Sequence, residues 1–361
     1  TLDQSIQFTA ETPLAEAVEK SRAKSGMAIV MVPGTGEILA LALAPAFNPN
    51  AFDDVKKPLW RNRAITDPFE PGSTLKVFSA AAALEFANLS PKTTFNCENG
   101  AYRIGKNTVH DVHRYGVLSL QDIIKYSSNI GAVKISERVG AEKLHHTLRL
   151  FGFGQKTGID SPAETSGLLM HHKRWTDIDT AAISFGHGVS VSAVQLIAAF
   201  SAIANDGVLM RPHIVQAITD QQGQILQQFG PQQVRRVVSP RAAATLRDIL
   251  QTVMLPGGTG VNAALEGYSA CGKTGTARKI DESGTYASDR HVASFIGFAP
   301  AENPQVAVLV VVDEPKTQIY GGAVAAPVFK KIAQTALNYL NVPPRPAGER
   351  LRVALDGGGR G

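Results

Sequence analysis

Three short motifs in this 361-residue chain carry residue types suited to acyl transfer. Ser73-Thr74-Leu75-Lys76 spaces a hydroxyl and an amine three residues apart. Ser127-Ser128-Asn129 offers a second hydroxyl with a carboxamide. Lys273-Thr274-Gly275-Thr276 groups a cation and two hydroxyls around a glycine. A serine hydroxyl attacks a carbonyl well only when a base takes its proton. On a helix, residues three apart share a face with Cβ atoms roughly 5–6 Å apart, which puts Lys76 within reach of Ser73. An amine can be that base when burial and a second cation, here Lys273, bring its pKa towards neutrality. Ser73 opens an apolar helix, where N–H groups and the dipole favour a developing oxyanion. Ser127 can relay a proton to a leaving amine, and Asn129 can hydrogen-bond a peptide. Lys273, Thr274 and Thr276 make a cradle for a terminal carboxylate, and Gly275 leaves the strand edge open to close approach.

Each motif alone is a weak signal. Ser21-Arg22-Ala23-Lys24 repeats the first pattern near a helix end and reads as solvated surface. Lys156-Thr157-Gly158 repeats the third without a strand before it and reads as a turn. The order S-x-x-K, S-x-N, K-T-G, each in a fitting context, favours catalysis. The elements that would position the motifs follow from pattern. Strands are expected at 27–32 and 37–43, joined by the turn signal Pro33-Gly34-Thr35-Gly36, and at 267–273, 292–299 and 306–312. Helices are expected at 74–87, 120–126, 130–139, 142–151, 193–205, 240–254 and 323–340. Ser119 with Asp122 resembles a capping box, and Gly140 and Gly207 suit helix stops. Hairpin-type connections predict an α/β fold: an antiparallel sheet, built from both chain ends and flanked by helices, with a large helical insertion. Residues 1–340 read as one domain and the Pro- and Gly-rich residues 341–361 as a flexible tail.

Composition is that of a globular chain, with 44% hydrophobic and 19% charged residues. The longest apolar runs, Val306 to Val312 among them, are far short of the ~18 residues of a membrane helix. The formal charge of +5 is scattered, densest at Lys56, Lys57, Arg61 and Arg63 and at Arg235-Arg236. No basic stripe is interleaved with aromatics, which argues against nucleic-acid binding. Cys97 and Cys271 are too few for a disulfide framework or a zinc site, though a single bridge stays open. Cys271 reads as a small buried hydrophobe. His110-Asp111-Val112-His113 has ligand spacing but no third ligand, so it reads as a loop, and no metal is expected. The pairs His145-His146 and His171-His172 are expected to point apart. Gly186-His187-Gly188 reads as a turn. The chain starts at Thr1 without a signal peptide and reads as processed or truncated.

With these residues in view, the sequence resembles class B penicillin-binding proteins, the monofunctional D,D-transpeptidases. The likeness extends from about Thr1 to Leu340. It includes Gly36-Glu37-Ile38-Leu39-Ala40, Arg61-Asn62-Arg63-Ala64, Glu70-Pro71-Gly72, Gly158-Ile159-Asp160, Gln195-Leu196, Ala204-Asn205-Asp206-Gly207 and Tyr320-Gly321-Gly322. The stretch Arg61 to Lys76 is closer to septal or sporulation members than to elongation ones. The resemblance implies that Ser73 is the acylated nucleophile and Lys76 its base, that Ser127 passes the proton, and that Asn129 orients the donor peptide. Lys273, Thr274 and Thr276 would hold the D-alanyl or β-lactam carboxylate, and the N–H groups of Ser73 and Thr276 the oxyanion. The implied reaction cross-links peptidoglycan stem peptides without a cofactor. Implied too are a membrane anchor missing from this chain, a position on the outer face of the membrane, and glycosyltransferase and cell-division partners. Leu75 stands where members often have Phe, and Ser192-Ala193 where Thr-Pro is common. The rival readings are a serine β-lactamase, with Glu164 to activate water, a D,D-carboxypeptidase, and a β-lactam sensor.

Overall fold

The structure, a computed structural model, describes residues 1–48, 50, 60–281 and 283–345. Lys56, Lys57 and residues 346–361 of the expected tail lie outside the described residues. The main sheet has five strands: β1 (Ser25–Met31), β2 (Ile38–Ala44), β3 (Cys271–Ile280), β4 (Tyr286–Ala299) and β5 (Val306–Asp313). Their order is β3-β4-β5-β1-β2, every neighbour antiparallel. β1 pairs with β5 from Ser25↔Asp313 to Met31↔Ala307, so both chain ends build one sheet, as expected.

Period-two alternation assigns the faces of the sheet. In β5, Ala307, Leu309 and Val311 join one apolar cluster, and Val306, Val308, Val310 and Val312 join the other. A strand covered on both faces reads as a continuous apolar run. The helices that matter for the site are α1 (Gln4–Lys20), α2 (Lys76–Phe86), α3 (Leu120–Tyr126), α4 (Asn129–Val139), α5 (Ala193–Ala204) and α6 (Ala326–Tyr339). One face of the sheet is covered by Ile6, Ala10 and Leu14 of α1 and by Phe329, Ile332 and Leu337 of α6. Each of the Ile, Leu and Phe side chains so buried contributes roughly 1.5–3 kcal/mol. The helical insertion covers the other face. Every residue of α5 is buried, which suits a helix that is apolar but for Gln195 and Ser201. α2 is buried from Lys76 to Ala83, and Lys76 is the one charge in that stretch.

Several expectations need correction. The strand expected at 267–273 starts at Cys271 and continues to Ile280. Gly267 is a turn residue with φ +81°, whereas the mixed Thr, Gly, Ala, Arg and Lys of 274–279 hid a sheet-edge strand. The start of the helix expected at 74 is a 3₁₀ turn, Gly72–Leu75, ahead of α2. α1 was not expected; its signal was Asp3, whose Oδ1 accepts from the Ile6 N–H at 2.9 Å. The helix Asp177–Ser184 was also missed. Val342 and Arg345, in the expected tail, are held to the domain: Tyr268 Oη donates to Val342 O at 2.7 Å and the Arg345 N–H to Gly267 O at 2.8 Å. Among the described residues, no helix is long and apolar enough to cross a membrane.

Candidate active site

β3 is an edge strand, so one side of its backbone faces β4 and the other has no strand partner among the described residues. Lys273 to Thr276 lie within this strand rather than at its end, paired with Ile296 to Ala293. Lys273 is fully buried, and its Nζ donates to Ser127 Oγ at 2.8 Å. Thr274 Oγ1 donates to Thr259 Oγ1 at 2.9 Å, and Thr276 Oγ1 accepts from the Gly321 N–H at 3.3 Å. The strand packs closely on the turn that carries Ser73. A Cβ on Gly275 would collide with Ser294 Oγ and lie 3.1 Å from Pro71 O; one on Gly72, at φ +55°, would lie 2.9 Å from Thr276 O. Glycine at both positions is what lets the nucleophile turn and the K-T-G strand touch.

The turn is anchored from behind. The Phe69 N–H donates to Val191 O at 2.9 Å and the Gly72 N–H to Gly186 O at 3.2 Å. Glu70 binds His187 Nδ1 at 2.9 Å, accepts from the Gly188 N–H at 2.8 Å, and accepts from Tyr286 Oη at 3.2 Å. Ser73 is half-buried, and its hydroxyl has no hydrogen-bond partner among the described residues. Lys76 turns to the S-x-N loop instead: Nζ donates to Ser127 O at 2.5 Å, Ser127 Oγ at 3.2 Å and Asn129 Oδ1 at 2.7 Å. A loose nucleophile–base contact is common in an unliganded site.

Ser127 ends α3 in the left-handed region, φ 62° and ψ 38°. A non-glycine residue held there costs about 1–2 kcal/mol, a strain often found at functional sites. Ser128 then caps α4 by accepting from the Gly131 N–H at 2.9 Å. Asp111 fixes this corner. Its Oδ2 accepts from Ser128 Oγ at 2.6 Å, and its Oδ1 accepts from the N–H groups of Asn129 and, at 3.1 Å, Ile130. Asn129 Nδ2 donates to His110 O at 2.9 Å.

The electrostatics follow from burial. Lys76 is pushed down to about 7 by desolvation, which Asp111 opposes. Lys273 falls well below the ordinary lysine value, through desolvation first and then the neighbouring Lys76. Two buried amines thus flank the single hydroxyl of Ser127, and one of them, Lys76, lies three residues after Ser73. Such an arrangement can pass protons at neutral pH.

The profile of the penicillin-binding protein transpeptidase domain matches residues 26–334. This chain belongs to that family. Among similar proteins, the probable peptidoglycan D,D-transpeptidase PenA of Neisseria gonorrhoeae is 41% identical over 95% of this chain and 57% of its own length. The peptidoglycan D,D-transpeptidase FtsI of Escherichia coli is 36% identical over 95% of this chain and 56% of its own. The chain therefore spans a little over half of these relatives. The transpeptidase domain of Burkholderia pseudomallei penicillin-binding protein 3 superposes with a TM-score of 0.84 at 38% identity, covering 96% of this chain and 97% of that one. The expected class B penicillin-binding membership and fold hold.

In this penicillin-binding transpeptidase domain, Lys76, Ser127, Asn129 and Lys273 meet through hydrogen bonds, and the turn that carries Ser73 touches the strand of Lys273 to Thr276 at Gly72 and Gly275. Three others were missed: Thr259, Glu70 as an anchor, and Asp111. The signal for Asp111 lay in His110-Asp111-Val112-His113, read only as a ligand spacing; among the described residues no group of His, Cys, Asp or Glu can hold a metal. The histidine pairs do not simply point apart, since His171 and His172 stack at 4.4 Å with His145 5.0 Å from His171. Ser21 is buried rather than solvated. Cys97 and Cys271 are both free and buried.

Proposed function

We propose that this domain is a serine D,D-transpeptidase that cross-links peptidoglycan stem peptides and is acylated by β-lactams. The observation that carries the reading is the pair of buried amines, Lys76 and Lys273, meeting at Ser127, with Lys76 on the helix that follows the Ser73 turn. Neutral Lys76 takes the proton of Ser73 as Oγ bonds to the penultimate D-alanine carbonyl carbon. The N–H groups of Ser73 and Thr276, on the two segments joined at Gly72, receive the oxyanion. Lys273, Thr274 and Thr276 hold the terminal carboxylate, with Gly275 giving the substrate backbone room, and Asn129 orients the donor peptide. As the C–N bond breaks, the proton passes through Ser127 to the leaving D-alanine amine. An amine from a second stem peptide then attacks the ester, its excess proton returns through Lys76 to Ser73, and an amide forms. Splitting one amide exchange into two steps lowers each barrier.

The stretch Arg61 to Lys76 and the relative named FtsI support a septal or sporulation role. A place at the outer face of the membrane, with glycosyltransferase and cell-division partners, belongs to the same proposal. Glu164, the residue a β-lactamase reading would use, is committed elsewhere. Its Oε1 accepts from the Thr157 N–H and hydroxyl, each at 2.6 Å, and its Oε2 from the Gly158 N–H at 3.0 Å. The test is a D-Ala-D-Ala peptide mimic with an amine acceptor. D-Alanine release with a new amide product supports transpeptidation; release with only the hydrolysed acid would make the domain a carboxypeptidase, and no release would exclude both.

A further inference from the structure

Asp111 lies outside the three motifs yet touches two residues of the second. It follows a short hairpin, Ala101–Ile104 paired with Asn107–His110, and reaches the start of α4. Its Oδ2 holds Ser128 Oγ at 2.6 Å, while its Oδ1 takes the Asn129 and Ile130 N–H groups. A carboxylate at a helix N-terminus satisfies donors that have no intrahelical partner and complements the dipole. His110 O takes Asn129 Nδ2 at 2.9 Å, so the same hairpin end grips both the backbone and the side chain of Asn129. With Ser128 and Asn129 so fixed, the oxygens of Asn129 and of the preceding Ser127 form the socket that receives Lys76 Nζ.

We propose that Asp111 is the positioning residue of the acylation site: it locks the S-x-N corner against α4 and sets its negative charge beside the socket that holds the Lys76 amine. The inference rests on the function proposed above and adds a residue to it. The charged groups acting on the socket are few. Lys273 faces it from β3 and Lys76 from α2, and Asp111 is the acid that opposes the desolvation of Lys76. Beside Asp111, Tyr115 is pushed up by burial and then by Asp111. Cys97 is pushed up by burial first, against its bond to Ser128, with Asp111 adding to the rise. Both stay neutral near pH 7. Lys134 and Glu98, also close to Cys97, are paired with each other at 3.3 Å. Ser127 and Asn129 contribute dipoles without charge.

The sign of the effect follows. Acylation needs neutral Lys76, so its rate rises with pH as Lys76 loses its proton. The Asp111 charge favours the ammonium; removing it lets the proton leave at lower pH. A purely structural cap would lower the rate at every pH and leave the rising limb in place.

The experiment compares the parent with Asp111→Asn, Asp111→Glu and Ser128→Ala. The rate of acylation by a fluorescent penicillin is followed from about pH 5 to about pH 9, across the range of a depressed lysine. The expected result is that Asp111→Asn drops the plateau rate roughly tenfold, the scale of a lost charge-assisted hydrogen bond, and moves the rising limb to lower pH. Asp111→Glu is expected to return the limb towards that of the parent. Ser128→Ala is expected to lower the plateau without moving the limb. Should Asp111→Asn not fold, Asp111→Ser keeps an acceptor for the α4 N–H groups without the charge and makes the same comparison. An Asp111→Asn or Asp111→Ser limb that coincides with the parent's overturns the proposal. A parent that takes no penicillin at any pH overturns the proposed function, and this role with it; the two failures are thus told apart.

Discussion

Ser73 to Lys76 and Ser21 to Lys24 are the same four-residue pattern in two environments. Lys24 is a surface amine, with its side chain 66% exposed and 3.5 Å from Glu314, and Ser21 Oγ turns back to Ala17 O at the end of α1. Such an ion pair contributes at most about 1 kcal/mol. Lys76 is fully buried, its amine brought near neutrality by desolvation. The two K-T-G copies differ in the same way. Lys156 is exposed, and Thr157 and Gly158 bind Glu164 while Gly158 O accepts from Arg211 Nε at 2.5 Å, which makes that copy a loop staple. Lys273 is buried on a sheet-edge strand against Ser127. The lesson is that spacing only brings an amine near a hydroxyl; burial is what weakens the amine's hold on its proton.

The comparison is most sharply broken by paired substitutions. Ser73→Ala should abolish penicillin labelling with the thermal melt within ~1 kcal/mol of the parent, whereas Ser21→Ala should keep full labelling and lose about 1 kcal/mol of stability for its buried hydrogen bond. Labelling that survives in Ser73→Ala would refute the nucleophile. Next in size, Lys76→Met should slow acylation by about 10²–10⁴-fold, the usual contribution of a general base, while Lys24→Met leaves it unchanged. In the parent, the stopped-flow acylation rate should rise with pH through about 7, because protonated Lys76 cannot accept the Ser73 proton. A rate flat across that range would contradict the role. Lys273→Ala should slow acylation by roughly tenfold or more through loss of a charged hydrogen-bond donor, and Lys156→Ala not at all. The smallest effect is reserved for Glu164→Gln: the penicillin adduct should have the parent's lifetime, and a longer one would revive the hydrolytic reading.

Local chemistry made much of the fold legible. Ser119 caps α3 by accepting from the Asp122 N–H at 3.1 Å, the unbroken apolar run of β5 marks a strand covered on both faces, and the starts of α5 and the helix Pro240–Thr252 fall where expected. What escaped depends on partners far away in the chain. Glu70 meets His187 across 117 positions, and Asp111 reaches Ile130 through a hairpin whose pairing no local pattern announces. The extent of β3 escaped because an edge strand, open on one side, tolerates polar residues that read as a turn. Which way Lys76 points was equally hidden. Helical spacing placed it near Ser73, and only the left-handed turn at Ser127 shows where its amine is bound.

The most direct test of the central claim is the intact mass of the protein followed over hours after addition of benzylpenicillin. A single lasting adduct that maps to the peptide containing Ser73 is the predicted result. Rapid return to the unmodified mass with the penicillin consumed, or an adduct on any other residue, would contradict it.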